Sequence, residues 1–343
     1  MQAPAGSVEH HGAHRCKATL WPWSRRATRS KPIVLARRRA RGDPQVPARE
    51  LSGPLVEAAW LLEHLAEPGL TVVDCRFRLG EPGAGERAWL QGHIPGAGFL
   101  DVDRDLSSEP GDRGRHPLPA PGAFQAAARR AGIGRQSGVV AYDEAGEGGA
   151  VRLWWLLRHF GHHRVAVLNG GLGAWREQGG GLKAGPEIAG EGDFVARERE
   201  GDTVSAEELH GEAAGRVLLD ARAPARFHGE AEPIDPVAGH IPGAVNLPFA
   251  DVAPEGRFLA PAELRARFEA AGADADRDVV AYCGSGVTAC TLVLASELAG
   301  LPAARLYPGS WSEWSRRGYP VARQESDRST DSRSSGPGGV RSR

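Results

Sequence analysis

The sequence predicts an α/β protein of two tandem domains, each a small parallel sheet with helices on both faces. Three observations lead there. The chain has 343 residues, 41% hydrophobic and 25% charged, enough for two cores of ordinary size. Short apolar runs alternate with longer amphipathic segments, and one ordered set of motifs occurs twice.

The duplication carries the most information. VVAYD at 139–143 answers VVAYC at 279–283, and VVDCR at 72–76 answers LLDAR at 218–222. GHIPGA occurs at 92–97 and again at 239–244, and GGLGAW at 170–175 answers GSWSEW at 309–314. Four landmarks in one order at a nearly constant spacing mark a repeated domain, and so long a period excludes a solenoid.

Within the first copy the order is TVVD, a Pro/Gly-rich loop, AAARRAG, VVAY, VRLWWLLRHFG and VAVLNGG. Apolar runs of strand length bounded by turn residues suit buried parallel strands, and the longer segments suit the helices that cover them. The expected organisation is a disordered basic head at 1–50, a first domain at 51–185, a linker at 186–199, a second domain at 200–323 and a disordered tail at 324–343. The tryptophans at 154, 155, 175, 311 and 314 are read as packing residues.

Composition excludes several classes. The net charge is −1, and the Arg-rich head carries no apolar periodicity, so neither a nucleic-acid partner nor a membrane partner is expected. No run reaches the ~20 apolar residues of a spanning helix, and the head lacks a secretory apolar core, which points to the cytoplasm. The four cysteines, at 16, 75, 283 and 290, form no CxxC pair, so neither a zinc site nor a disulfide framework is indicated.

Cys283 differs from the other three. It follows an apolar strand and opens CGSGVTA at 283–289, ahead of the helical run that continues through ACTLVLASELAG. A Gly-rich turn entering a helix directs backbone N–H groups and the positive end of the helix dipole at one point, a cradle for negative charge. A thiol there is drawn toward its nucleophilic thiolate. The first copy has Asp143 at the matching position. Cys75 at a strand end, Cys290 within the helix and Cys16 in the head are read as ordinary side chains, and His93 and His240 of the GHIPGA motifs as turn-formers.

Taken together, these motifs resemble the rhodanese family, and the tandem layout with CGSGVTA is similar to its 3-mercaptopyruvate sulfurtransferases. The resemblance implies ping-pong transfer: Cys283 takes the outer sulfur of a small-molecule donor as a persulfide and passes it to a thiol, thioredoxin or cyanide. It implies no metal and no organic cofactor, and an active cysteine in the second domain alone. It also implies a proton relay through Ser285, His116 in GRHPLP and Asp103 in FLDVDRD, the last two reaching over from the first domain. Arg226 in ARFHGEAEP is the implied ligand of the donor carboxylate, with Gly284, Gly286, Val287 and Thr288 around the sulfur.

The animal 3-mercaptopyruvate enzymes carry a second arginine a few residues after Arg226, where this chain has Ile234 and Asp235. Donor binding is therefore expected to be weaker or differently arranged. Arg152, ahead of LWWLLRHFG, is left outside the site. The alternatives are a thiosulfate sulfurtransferase, whose loop usually carries basic residues after the cysteine, and a non-catalytic rhodanese module. A Cys-x5-Arg phosphatase is disfavoured by Ala289, which stands where its arginine would be.

Overall fold

The computed structural model describes residues 51–187, 190–211 and 215–323. The disordered head and tail expected at 1–50 and 324–343 lie outside the described residues. Two parallel sheets form. The first contains β1 (Leu55–Val56), β2 (Leu70–Asp74), β3 (Gly98–Phe99), β4 (Gly138–Tyr142) and β5 (Val165–Leu168) in the order β1-β5-β4-β2-β3. The second contains β6 (Arg216–Asp220), β7 (Val245–Asn246), β8 (Asp278–Tyr282) and β9 (Arg305–Leu306) in the order β7-β6-β8-β9. The shared core order is thus the same in both copies, and a single parallel bridge from Thr203 to Leu306 takes the place of β1 in the second.

Strand parity decides which face each residue serves, because successive side chains point to opposite sides. On β4, Val139 and Ala141 face one core while Val140 and Tyr142 face another. On β8, Val279 and Ala281 join the same core as Val139, and Val280 and Tyr282 turn outward to a third. That shared core runs between the two halves, with the helices Gly149–His159 and Ala289–Leu298 both packed in it. Both helices are buried nearly all round, which is why neither shows a clean polar stripe in sequence. The tryptophans at 154, 155, 175, 311 and 314 are all buried.

The repeated motifs have a physical reason. Arg76 holds Asp74 through Nε and Nη2 and donates from Nη2 to Gly92 O at 2.8 Å, which ties the end of β2 to GHIPGA. Arg222 repeats this with Asp220 and with Gly239 O at 2.7 Å. Each buried arginine is matched by a buried carboxylate and a carbonyl, so loss of either partner would strand a charge. His93 Nδ1 lies 2.7 Å from Trp89 O and His240 Nδ1 2.8 Å from Phe227 O, both rings buried.

The stretch read as a linker at 186–199 is, over its described residues 186–187 and 190–199, laid along the first half. Phe194 is buried against Phe124, and Gly192 and Arg197 donate backbone hydrogen bonds to Arg129 O and Phe160 O. One buried aromatic ring and a series of backbone hydrogen bonds fasten it.

Candidate active site

Cys283 continues the parity of Val279 and Ala281, so its thiol points toward the first half, with 2% of the residue exposed. The Gly286 N–H donates to Cys283 Sγ at 3.1 Å. Gly286 has φ of 77°, and a methyl group there would lie 2.3 Å from Pro308 O, so this turn admits only glycine. The turn at 309–312 clasps the loop from behind: Trp311 N–H donates to Cys283 O at 3.0 Å and Ser312 N–H to Gly284 O at 2.9 Å.

Ser310 was not among the sequence candidates. Its Oγ accepts the Cys283 N–H at 3.1 Å and donates to Tyr307 O at 2.9 Å, and its own φ is 52°. The matching residue of the first copy is Gly171, with φ of 55°. A side chain in this left-handed region costs about 1–3 kcal/mol, a strain held here in exchange for an anchor on the cysteine backbone. Serine in GSWSEW against glycine in GGLGAW is the signal that marks it.

In the first copy Asp143 fills the matching cradle with its own carboxylate. The N–H groups of Gly146, Gly148 and Ala150 donate to it at 2.9, 3.1 and 3.2 Å. Burial nevertheless pushes the Asp143 carboxyl above its ordinary value, against the pull of those three donors. A loop of this build therefore gathers donors on one anionic atom group.

The loop residue Ser285 meets the first half. His116 Nδ1 lies 2.7 Å from Ser285 Oγ, and His116 Nε2 lies 2.9 Å from Asp103 Oδ1. His116 and Ser285 are buried, while Asp103 keeps a solvent-facing edge. The hydrogen bond from His116 holds the Asp103 carboxyl below the ordinary range, against partial burial. The structure thus places Asp103, His116 and Ser285 in one chain ending beside Cys283.

Arg152, excluded from the sequence candidates, is fully buried at this junction. It donates from Nη1 to Gly286 O at 3.0 Å, from Nη2 to His116 O at 3.1 Å and from Nε to Leu106 O at 3.3 Å. One side chain from the first half so fixes both the cysteine loop and the histidine segment. Among the described residues Arg152 has no carboxylate partner. Burial draws its guanidinium below the ordinary value, opposed by the thiols of Cys290 and Cys283. A charged residue inside VRLWWLL was the available signal.

Arg226 lies on the short helix Pro224–His228, hydrogen-bonded to Glu232 through Nε and Nη2 and to Asp235 at 3.3 Å. A methyl group on Gly284 would lie 3.4 Å from Arg226 Nη1 and 3.1 Å from Arg115 Nη2. Val287 packs in the shared core, and its side chain and that of Thr288 sit against Gly148 of the first copy. Cys290 is buried behind the loop, its thiol pushed up to about 12 mainly by burial, and Cys75 is buried and likewise raised. Among the described residues no helix is long and apolar enough to cross a membrane.

Comparison with known proteins gives the same frame. The rhodanese-like domain family matches residues 57–178 and 205–317. A probable 3-mercaptopyruvate sulfurtransferase of Pseudomonas aeruginosa is 46% identical over 271 residues, covering 77% of this chain and 95% of that protein. A putative thiosulfate sulfurtransferase, SseB of Mycobacterium tuberculosis, is 42% identical over 285 residues, covering 80% and 95%. The crystal structure of SseA from Escherichia coli, a 3-mercaptopyruvate sulfotransferase, superposes with a TM-score of 0.67 at 35% identity, over 76% of this chain and 100% of that one. With two parallel α/β sheets in matching order, a cysteine loop on the second and family matches to both halves, the chain belongs to the rhodanese-like family and is a sulfurtransferase.

Proposed function

We propose that the donor is 3-mercaptopyruvate and that Cys283 carries the transferred sulfur. The observation that carries this reading is the chain from Asp103 through His116 to Ser285, at 2.9 and 2.7 Å, ending beside the cysteine. In the first step the Cys283 thiolate attacks the donor sulfur, an S–S bond forms and the C–S bond breaks. The bonding pair leaves as the enolate of pyruvate, which must gain a proton. Ser285 supplies it and recovers one from His116, whose imidazolium donates to Ser285 on one side and to the Asp103 carboxylate on the other. In the second step a thiol, thioredoxin or cyanide attacks the outer sulfur, the S–S bond breaks and the Cys283 thiolate returns, and the one proton released in this transfer restores the one that His116 gave up.

Arg226 binds the donor carboxylate, since its Nη1 faces the space above Gly284. The Gly286 N–H and the Ala289–Leu298 helix dipole support the thiolate and then the persulfide. The similarity to the Pseudomonas aeruginosa and Escherichia coli proteins agrees with this donor, and the expected compartment is the cytoplasm. Turnover of the purified protein on 3-mercaptopyruvate and on thiosulfate, with cyanide as acceptor, tests the assignment. A clear preference for 3-mercaptopyruvate is expected, and preference for thiosulfate would overturn it.

A further inference from the structure

Asp143 stands where the second copy carries Cys283, and its carboxylate takes three backbone N–H groups: Gly146 on Oδ1, and Gly148 and Ala150 on Oδ2. The last two lie at the start of the helix Gly149–His159, where a helix leaves its first donors without internal partners. An anionic oxygen satisfies them and meets the positive end of the helix dipole. Asp143 is itself held in place, since it is buried and its carbonyl accepts the Leu172 N–H at 2.9 Å.

The helix fixed in this way bears directly on the catalytic loop. At its cap Gly148, with φ of 98°, packs on the second half so closely that a methyl group would lie 3.0 Å from Thr288 Cγ2 and 3.2 Å from Val287 Cγ1. Behind it, a methyl group on Gly149 would lie 2.0 Å from Cys75 O, so the helix start has no slack toward its own sheet. One turn on, Arg152 N–H donates to Gly148 O at 3.0 Å, and its guanidinium carries the bonds to Gly286 O and His116 O. Gly286 is the residue whose N–H meets Cys283 Sγ, and His116 is the residue that meets Ser285. Hydrogen bonds and close packing thus connect the Asp143 carboxylate to the cysteine at every step.

We propose that Asp143 is a positioning residue of the sulfur-transfer site: its carboxylate sets the helix Gly149–His159, which holds the Cys283 loop and the His116 segment in register through Gly148 and Arg152. The residue that replaces the nucleophile in the silent copy thereby serves the nucleophile of the other. This role is independent of the choice of donor.

The test compares Asp143→Ala and Asp143→Asn with Phe124→Leu in the full chain, Phe124 lying in the core of the first half against Phe160 and Phe194. Each protein is assayed well below its melting temperature, on the donor that wild type turns over fastest, with cyanide as acceptor. Misplacing reacting groups by about 1 Å can cost about a hundredfold in rate, so kcat should fall about tenfold or more in Asp143→Ala. Amide hydrogen exchange across 284–289 should quicken about tenfold as the loop loses its support. Phe124→Leu lowers the melting temperature but should leave kcat and that exchange at wild-type values. Asp143→Asn keeps an acceptor for the Gly148 and Ala150 N–H groups and gives up the Gly146 bond, so it should fold even where the alanine variant does not, with a smaller loss of kcat. Wild-type kcat and loop exchange in every Asp143 variant that folds, or an equal loss in Phe124→Leu, overturns the proposal and leaves Asp143 a stabiliser of its own half.

Discussion

Ser285→Ala separates proton delivery from sulfur transfer. In the wild type Ser285 Oγ lies 2.7 Å from His116 Nδ1, and both side chains are buried. Removing the hydroxyl takes away one short hydrogen bond and leaves a buried ring nitrogen unpaired, costing about 1–3 kcal/mol of stability. Domains of this kind hold about 5–15 kcal/mol, so the variant should fold. A positioned proton donor is worth about a hundredfold or more in rate, equal to about 2.7 kcal/mol of barrier. That loss should fall on 3-mercaptopyruvate, whose enolate leaving group needs a proton. Thiosulfate releases sulfite, a stable anion, and its turnover should change little. The assay is kcat on each donor with cyanide as acceptor, alongside a thermal melt. Equal loss on both donors would mean that Ser285 only shapes the loop, and no loss on either would remove the relay.

Two further outcomes follow from buried charged groups of the first half. Arg152→Met fills similar space but leaves the carbonyls of Gly286, His116 and Leu106 without their donor, so unfolding free energy should drop by about 3 kcal/mol or more and both donors should be turned over more slowly. Denaturant unfolding followed by fluorescence measures it, and an unchanged midpoint would contradict the account. Glu147, in the loop of the first copy, has its carboxyl pushed up to about 7 from 4.5, first by burial and then by the Asp143 charge. In that interval the folded protein keeps a proton that the unfolded chain has released, so stability falls as pH rises through it. Glu147→Gln should therefore raise the melting temperature at about pH 8 and have little effect at about pH 5, and an equal gain at both would refute the assignment.

What the sequence shows and what it hides follow from distance along the chain. The apolar runs of β4 and β8 and the loop at 283–289 are local patterns, so both strands can be read from VVAYD and VVAYC, whereas the direction of Cys283 cannot, because both faces of β8 are buried. Asp103, His116 and Ser285 could be named together only through the family resemblance, because no local pattern ties the GRHPLP segment to the cysteine loop. Arg115 and Arg152 meet the second half through folds of the interface, and charge or spacing gave no hint of their partners. Asp235 shows the limit most clearly. In sequence it signals a missing cation, and in the structure it is the carboxylate that holds two of them. Ser310 was legible in principle, since the repeat sets it against Gly171, but its role depends on a positive φ that sequence does not display.

The most direct test of the central claim is intact-protein mass spectrometry after incubation with 3-mercaptopyruvate and no acceptor. The account predicts a gain of one sulfur on the wild type, mapped to the peptide containing Cys283, lost when cyanide is added and absent from Cys283→Ser. A sulfur gained on Cys290 or Cys75, or a gain that survives Cys283→Ser, would contradict it.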